Sequence, residues 1–304
     1  MALDGDYLLD RRRLKSRLTW WRLAAILAII AAGIALLGDL RGGLPGRDHV
    51  AILEVFGIIQ NDPDRLALIE EARDDPDIRA LIVHIDSPGG TVVGGETLYR
   101  ALRRFSEEKP VVAVMGDLAT SAGYMTAIAA DRIFAQNGTV TGSIGVLFQN
   151  AEITSLLERL GITVEAVKSG PLKAAPNPLE KTSPEARAAT EALVRDMFRM
   201  FTAMVSERRN MTAERVAVLA DGRVYTGRMA LENGLIDEIG GEREALLWLE
   251  TEKSIPEDLP VRILSPKKDV ESWFEKLTGL AGKTMLPERL TLDGLVSVWH
   301  PSLR

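Results

Sequence analysis

Residues 80–86 read ALIVHID, and SPGG follows at 87–90. An apolar run rich in β-branched side chains and closed by a Pro-Gly-Gly turn reads as a buried strand. On its N-terminal side, 49–59 (HVAILEVFGII) reads as another strand and 64–73 as a helix. On its C-terminal side come a helix over 94–107, a strand over 110–115 and a helix over 121–130. Residues 132–135 and 163–167 read as further short strands. A long amphipathic helix spans 184–209, with Leu193, Met197, Met200, Phe201 and Met204 along it; methionines at that spacing read as core packing. Alternation of this kind predicts an α/β fold in which helices cover a mainly parallel sheet. No internal repeat is visible.

Composition narrows the chemistry. The 304 residues suffice for one large domain or two ordinary ones, and 46% apolar with 26% charged residues excludes wholesale disorder. There is no cysteine, so disulfide frameworks, thiolate zinc sites and a cysteine nucleophile are all excluded. The only histidines are His49, His84 and His300. A net charge of −6 with 5% aromatic residues argues against a nucleic-acid surface of basic patches and stacking platforms.

The N-terminus differs from the rest. Arg11, Arg12, Arg13, Lys15, Arg17 and Arg22 crowd the start, then 23–37 (LAAILAIIAAGIALL) carries no charge. With Trp20 and Trp21 at its mouth, this run approaches the ~20 residues that a spanning helix needs. The expectation is a basic cytoplasmic tail over 1–20 and a retained single-pass anchor over 21–38. A cleaved signal peptide fits less well, because the run ends in Leu36, Leu37, Gly38 and Asp39 without a small-residue cleavage site. Residues 39–48 (DLRGGLPGRD) read as a linker, 49–250 as the main domain and 251–304 as a C-terminal tail. Within that tail, 271–282 puts Trp273, Phe274, Leu277 and Leu280 on one helical face.

Two turns can carry chemistry. Gly89 and Gly90 allow backbone amides to approach a ligand closely, as an oxyanion hole requires, although a plain tight turn has the same residues. No G-K-[ST] follows, which excludes a phosphate-binding P-loop. The second turn, TSAGY at 120–124, sets Ser121 at a helix N-terminus, where amides and the helix dipole favour a developing anion. An ordinary N-cap serine would sit in the same place. A nucleophilic serine needs a base. His84 lies inside a strand and reads as structural, so lysine is the candidate. Lys168, Lys173 and Lys181 all flank one Pro- and Gly-rich loop, and spacing does not choose among them.

From about residue 49 to 250 the chain resembles the signal peptide peptidase A family of serine peptidases, in its single-repeat form. The segments that carry the resemblance are IDSPGGT (85–91), TSAGYMTA (120–127), GTVTGSIGV (138–146), SGPLK (169–173) and GRVYTGRMALENGLIDEIGG (222–241), in family order. The resemblance implies the Clp-protease/crotonase-like fold and a Ser/Lys dyad, with Ser121 as nucleophile and Lys173 as general base. It implies oxyanion donors at Gly89, Gly90 and Ala122, where members often carry Gly in place of Ala122. Ser143 is a candidate to orient the lysine, or a turn serine. Lysine has an ordinary pKa of ~10.4 and accepts a proton only when neutral. Lys173 is therefore expected to be desolvated in the assembled site.

Because relatives with two repeats draw nucleophile and lysine from different repeats, a single-repeat chain is expected to form a homo-oligomeric ring with dyads shared between subunits. The expected enzyme is anchored in the inner membrane, in contact with its lipid, with an extracytoplasmic catalytic domain that degrades signal-peptide remnants. No metal or cofactor is expected. The competing readings are a non-catalytic membrane scaffold of the same fold and a crotonase-like acyl-CoA enzyme, which would use a carboxylate base.

Overall fold

The computed structural model describes residues 20–31 and 48–265. Residues 20–31 form a helix, α1, whose Trp20, Trp21, Ile26, Leu27, Ile29 and Ile30 are exposed. Among the described residues no helix is long and apolar enough to cross a membrane. The rest of the expected anchor, the basic tail, most of the linker, the 271–282 face and His300 lie outside the described residues.

The strands of the body are β1 (His49–Ile59), β2 (Ile78–Gly90), β3 (Val111–Thr120), β4 (Arg132–Ala135), β5 (Val140–Gly142), β6 (Val224–Thr226), β7 (Glu238–Ile239) and β8 (Val261–Ile263). They form one sheet in the order β6-β5-β3-β2-β1-β8, with β4 joined to β3 and β7 to β4. Every pairing is parallel except β5 with β6. The α/β expectation holds.

Parallel strands need covering on both faces, and the residues of β1 to β3 sort accordingly. Odd positions such as Leu53, Val55, Leu81, Val83, Ile85, Val111 and Ala113 enter the larger core. That core is closed by α2 (Pro63–Asp74), α3 (Val92–Ser106), α4 (Ala122–Ala127), α6 (Pro184–Arg208) and α7 (Ala213–Leu219), through Ile69, Leu102, Tyr124, Phe201 and Leu219 among others. Even positions, Val50, Ile52, Ala80, Ile82, Val112 and Val114, pack instead on Ala245 and Leu249 of α9 (Glu242–Lys253). Each fully buried side chain of this size stabilises the fold by roughly 1.5–3 kcal/mol. The short helices α5 (Thr154–Arg159) and α8 (Gly227–Glu232) complete the body.

Several sequence expectations need correction. The SPGG segment is not a free turn: β2 runs on to Gly90, and Ile58 and Ile59 stay in register with Gly89 and Gly90 across a bulge at Gly57. Residues 163–167 form no strand. Val164 and Val167 are exposed, and with no neighbouring strand to satisfy its backbone an extended segment gains nothing. Leu193, expected in the core, is exposed; of α6 the core buries Phe201 and Val205, with Phe198, Met200 and Met204 packed against it. Conversely β8, from the stretch where periodicity fades, adds to the edge of β1.

Candidate active site

The site forms where β3 hands over to α4. The expected 121–130 helix is six residues long, Ala122–Ala127, so its dipole is small and any anion must be held by individual amides. Ser121 occupies the N-cap position with φ 54° and ψ −117°, and its side chain makes no capping hydrogen bond. That conformation costs a non-glycine residue on the order of 1–3 kcal/mol. An ordinary cap would adopt an extended backbone and accept a helix amide on its side-chain oxygen, as Thr91 does from Gly94 N at α3 and Ser183 from Ala186 N at α6. The strain has a visible cause. The Ser121 amide donates to Gly142 O at 2.9 Å, its carbonyl accepts from Met125 N at 2.9 Å, and the backbone between them turns sharply. The Ser121 hydroxyl has no hydrogen-bond partner among the described residues.

Helix α4 is anchored at its far end. Arg208 donates to Ile128 O and Ala130 O, both at 2.9 Å, and Arg103 donates to Ala129 O at 3.0 Å. Burial, then the neighbouring Arg103 charge, holds the Arg208 guanidinium below its ordinary pKa. In the middle of α4, the buried Tyr124 hydroxyl donates to Leu235 O at 2.9 Å. Burial pushes this phenol well above its ordinary value. None of these long-range ties carried a sequence signal.

The glycine turn closes against the serine. A Cβ at Gly89 would stand 2.9 Å from Ser121 Cβ, and one at Gly90 would stand 1.8 Å from Ile59 O. Only glycine allows this approach. The two amides are not equivalent, since the Gly89 N–H donates to Ser87 Oγ at 3.1 Å. Ala122, first residue of α4, contributes one of the first-turn amides that have no partner within a helix. Ser143 follows Gly142, the carbonyl partner of Ser121; it has φ 49° and its amide donates to Arg223 O at 2.8 Å.

The lysines separate cleanly. Lys168 is paired with Glu180, which also accepts from Asn177. That pairing commits its side chain to the loop and away from Ser121. Lys181 lines an open groove of about 860 Å³ beside α6. Lys173 is exposed, with no side-chain partner among the described residues, and no hydrogen bond joins it to Ser121 within the single chain. It lies in a 146–182 segment where Leu147, Phe148, Leu156, Leu160, Val167 and Leu172 are all exposed.

The two described histidines are remote. His84 alternates with Ile82 on the α9 face, its Nε2 3.4 Å from Glu242 Oε2, while α4 packs on the opposite face. His49 starts β1, at the end of the sheet away from Ser121. Among the described residues no group of His, Asp and Glu could hold a metal.

Among the described residues, a strained serine at a strand-to-helix turn, closed by glycines and with no histidine partner, suits a serine enzyme without a Ser-His-Asp triad. Comparison with known proteins specifies which. The model of peptidase family S49 matches residues 103–256. A protein of Synechocystis sp. described as a protease is 37% identical over 238 residues, covering 77% of this chain and 84% of its own length. The chloroplastic serine protease SPPA of Arabidopsis thaliana is 32% identical over 268 residues, 83% of this chain and 39% of that protein. Protease 4 of Salmonella typhi is 32% identical over 179 residues, 59% of this chain and 29% of that protein. The fold distantly resembles a ClpP1 mutant from Listeria monocytogenes, with TM-score 0.41 and 16% identity over 64% of this chain and 92% of that one. The chain belongs to peptidase family S49 and is a serine peptidase of the signal peptide peptidase A type. The acyl-CoA reading falls with that assignment. This chain spans most of the Synechocystis relative but well under two thirds of the other two.

Proposed function

We propose that the protein is a membrane-anchored endopeptidase that degrades signal-peptide remnants and other apolar peptides with a Ser121/Lys173 dyad. The observation that carries the reading is Ser121 itself, a strained residue whose hydroxyl is spent on no structural bond and faces the glycine turn. The mainly parallel sheet, with this serine at the end of β3, supports the Clp-protease/crotonase-like topology.

Neutral Lys173 takes the Ser121 proton as Oγ attacks the scissile carbonyl. The oxyanion falls to the amides of Gly90 and Ala122, since the Gly89 amide is occupied by Ser87; each such donor is worth about 2.7–4 kcal/mol. The C–N bond breaks, Lys173 returns the proton to the leaving amine, and an acyl-enzyme remains. Lys173 then takes a proton from a water that attacks the ester and returns it to Oγ as the acyl–oxygen bond breaks, which frees Ser121 and neutral Lys173.

An exposed lysine keeps its ammonium hydrated and makes a poor base. In the lone chain Lys173 is exposed and unlinked to Ser121, which supports an oligomeric ring in which a neighbouring chain supplies the partner residue and excludes water. The exposed apolar side chains flanking Lys173 suit that contact, because a monomer rarely leaves so many large apolar groups in water. The exposed apolar helix α1 supports insertion into inner-membrane lipid, with the N-terminus cytoplasmic and the body outside.

Fluorophosphonate labelling of the detergent-purified protein, mapped by mass spectrometry, tests the dyad. Label on Ser121 that disappears in Lys173→Ala is the expected result; a folded, assembled protein without label refutes the dyad.

A further inference from the structure

At the end of β2 the paired glycines beside Ser121 add little rigidity of their own, because rotation about glycine meets few steric barriers. Yet the Pro88–Gly89 peptide unit is held at both of its polar atoms. Its carbonyl, Pro88 O, accepts from Thr120 Oγ1 at 3.0 Å. Its amide, Gly89 N–H, donates to Ser87 Oγ at 3.1 Å. The Ser87 hydroxyl donates to Gly57 O at 2.6 Å, at the β1 bulge, with Gly89 O a longer alternative acceptor at 3.2 Å. Ser87 is fully buried and Thr120 is 6% exposed, so water cannot stand in for either hydroxyl.

We propose that Thr120 and Ser87 are positioning residues that clamp the Pro88–Gly89 peptide plane and thereby set the following amide, that of Gly90, for the oxyanion. The inference rests on the proposed dyad reading and extends it. A peptide plane has one strong acceptor and one donor, and engaging both removes its freedom to rotate. The next unit, which carries the Gly90 amide, inherits that orientation, while Gly90 itself is pressed against Ile59 O.

Thr120 is also the residue before the nucleophile, so its hydroxyl ties the serine side of the site to the oxyanion side through one bond. Ser87 ties the same plane to β1, and its backbone carbonyl lies under Gly123 in the first turn of α4. The residues next to the nucleophile and to the oxyanion donors, Thr120 and Ser87, thus hold the same peptide plane. Ala122 needs no such help, since α4 holds its amide.

The test uses the full-length assembled protein and a chromogenic peptide substrate that wild type hydrolyses and Ser121→Ala does not. Thr120→Val keeps the shape and removes the hydroxyl. Losing a whole oxyanion donor costs 10²–10³ in kcat, so a loosened one is expected to lower kcat about 10–100-fold, with KM within about twofold. Thr120→Ser, which restores the hydroxyl, is expected to recover kcat to within about threefold of wild type. A purely structural role would lower the amount of folded enzyme and leave kcat per titrated Ser121 unchanged. Ser87→Ala is the second variant, with the same expected kcat loss, and decides the matter if Thr120→Val does not assemble. Full turnover in Thr120→Val, or equal losses in Thr120→Val and Thr120→Ser, would overturn the clamp alone. Wild-type protein without Ser121-dependent hydrolysis would overturn the dyad reading and the clamp with it.

Discussion

Gly89 lies against Ser121: a methyl group on Gly89 would sit 2.9 Å from Ser121 Cβ and 3.3 Å from its Oγ, on a backbone with φ of +116°. Gly89→Ala therefore meets both a clash and a disfavoured dihedral. Its expected effect is loss of fluorophosphonate labelling at Ser121, with circular dichroism still that of a folded protein. Labelling at the wild-type rate would show that the approach of Gly89 plays no part in the chemistry.

Ser121, with φ 54° and ψ −117°, holds a backbone conformation that strains a non-glycine residue. Ser121→Gly relieves the backbone, whereas Ser121→Ala removes the nucleophile and keeps the strain. After the entropy that glycine costs on folding, Ser121→Gly should still match or exceed Ser121→Ala in stability, by up to about 1 kcal/mol. Thermal melts of the two inactive variants read this directly; a less stable Ser121→Gly would mean that the dihedral is not under strain.

If neighbouring chains share dyads, inactive variants complement each other. Ser121→Ala and Lys173→Ala proteins, dissociated together and reassembled, should regain a sizeable fraction of wild-type activity. Persistent inactivity in oligomers shown to be mixed would place both dyad residues in one chain.

The loop that carries Lys173 is closed at its base by Lys168 and Glu180. The hydrogen bond from Lys168 holds the Glu180 carboxyl below its ordinary value of 4.5. A depressed carboxylate contributes stability that is fully present above its ordinary pKa and is lost as pH falls through its folded value. Limited proteolysis within 168–180 should therefore accelerate below about pH 4.5 in wild type. In Glu180→Gln it should be fast already at neutral pH and insensitive to acid. A cleavage rate independent of pH in wild type would show that the pair does not close the loop.

Tyr124→Phe leaves Leu235 O buried without its donor. The expected cost is about 1–3 kcal/mol, read as a lower melting temperature, with kcat per folded enzyme little changed. Because burial raises the folded phenol's pKa, wild type should also lose stability as pH rises past the ordinary tyrosine value of 10.0, and Tyr124→Phe should lose less. An identical alkaline decline in both would remove Tyr124 from that account.

What could be read without coordinates was local. The limits of β1 and β4 match their apolar runs to the residue, because a strand buried at most positions announces itself in consecutive side chains. Strands of two or three residues, β5 to β8, carry no such pattern; they exist because a neighbour offers a ladder. The same reasoning explains why 163–167, apolar enough for a strand, is none.

The serine motif and the paired glycines, plain in the sequence, named Ser121 a candidate nucleophile through the family resemblance, while the absence of cysteine removed only a thiol nucleophile. Tertiary structure alone decided that His84 faces α9, that Lys168 is spent on Glu180, and that the Gly89 amide is turned to Ser87. The hydroxyls of Ser87 and Thr120 reach partners 30 and 32 residues away. Side-chain periodicity records which face of an element is buried, whereas the partner of a single buried polar atom depends on which segments the fold brings together.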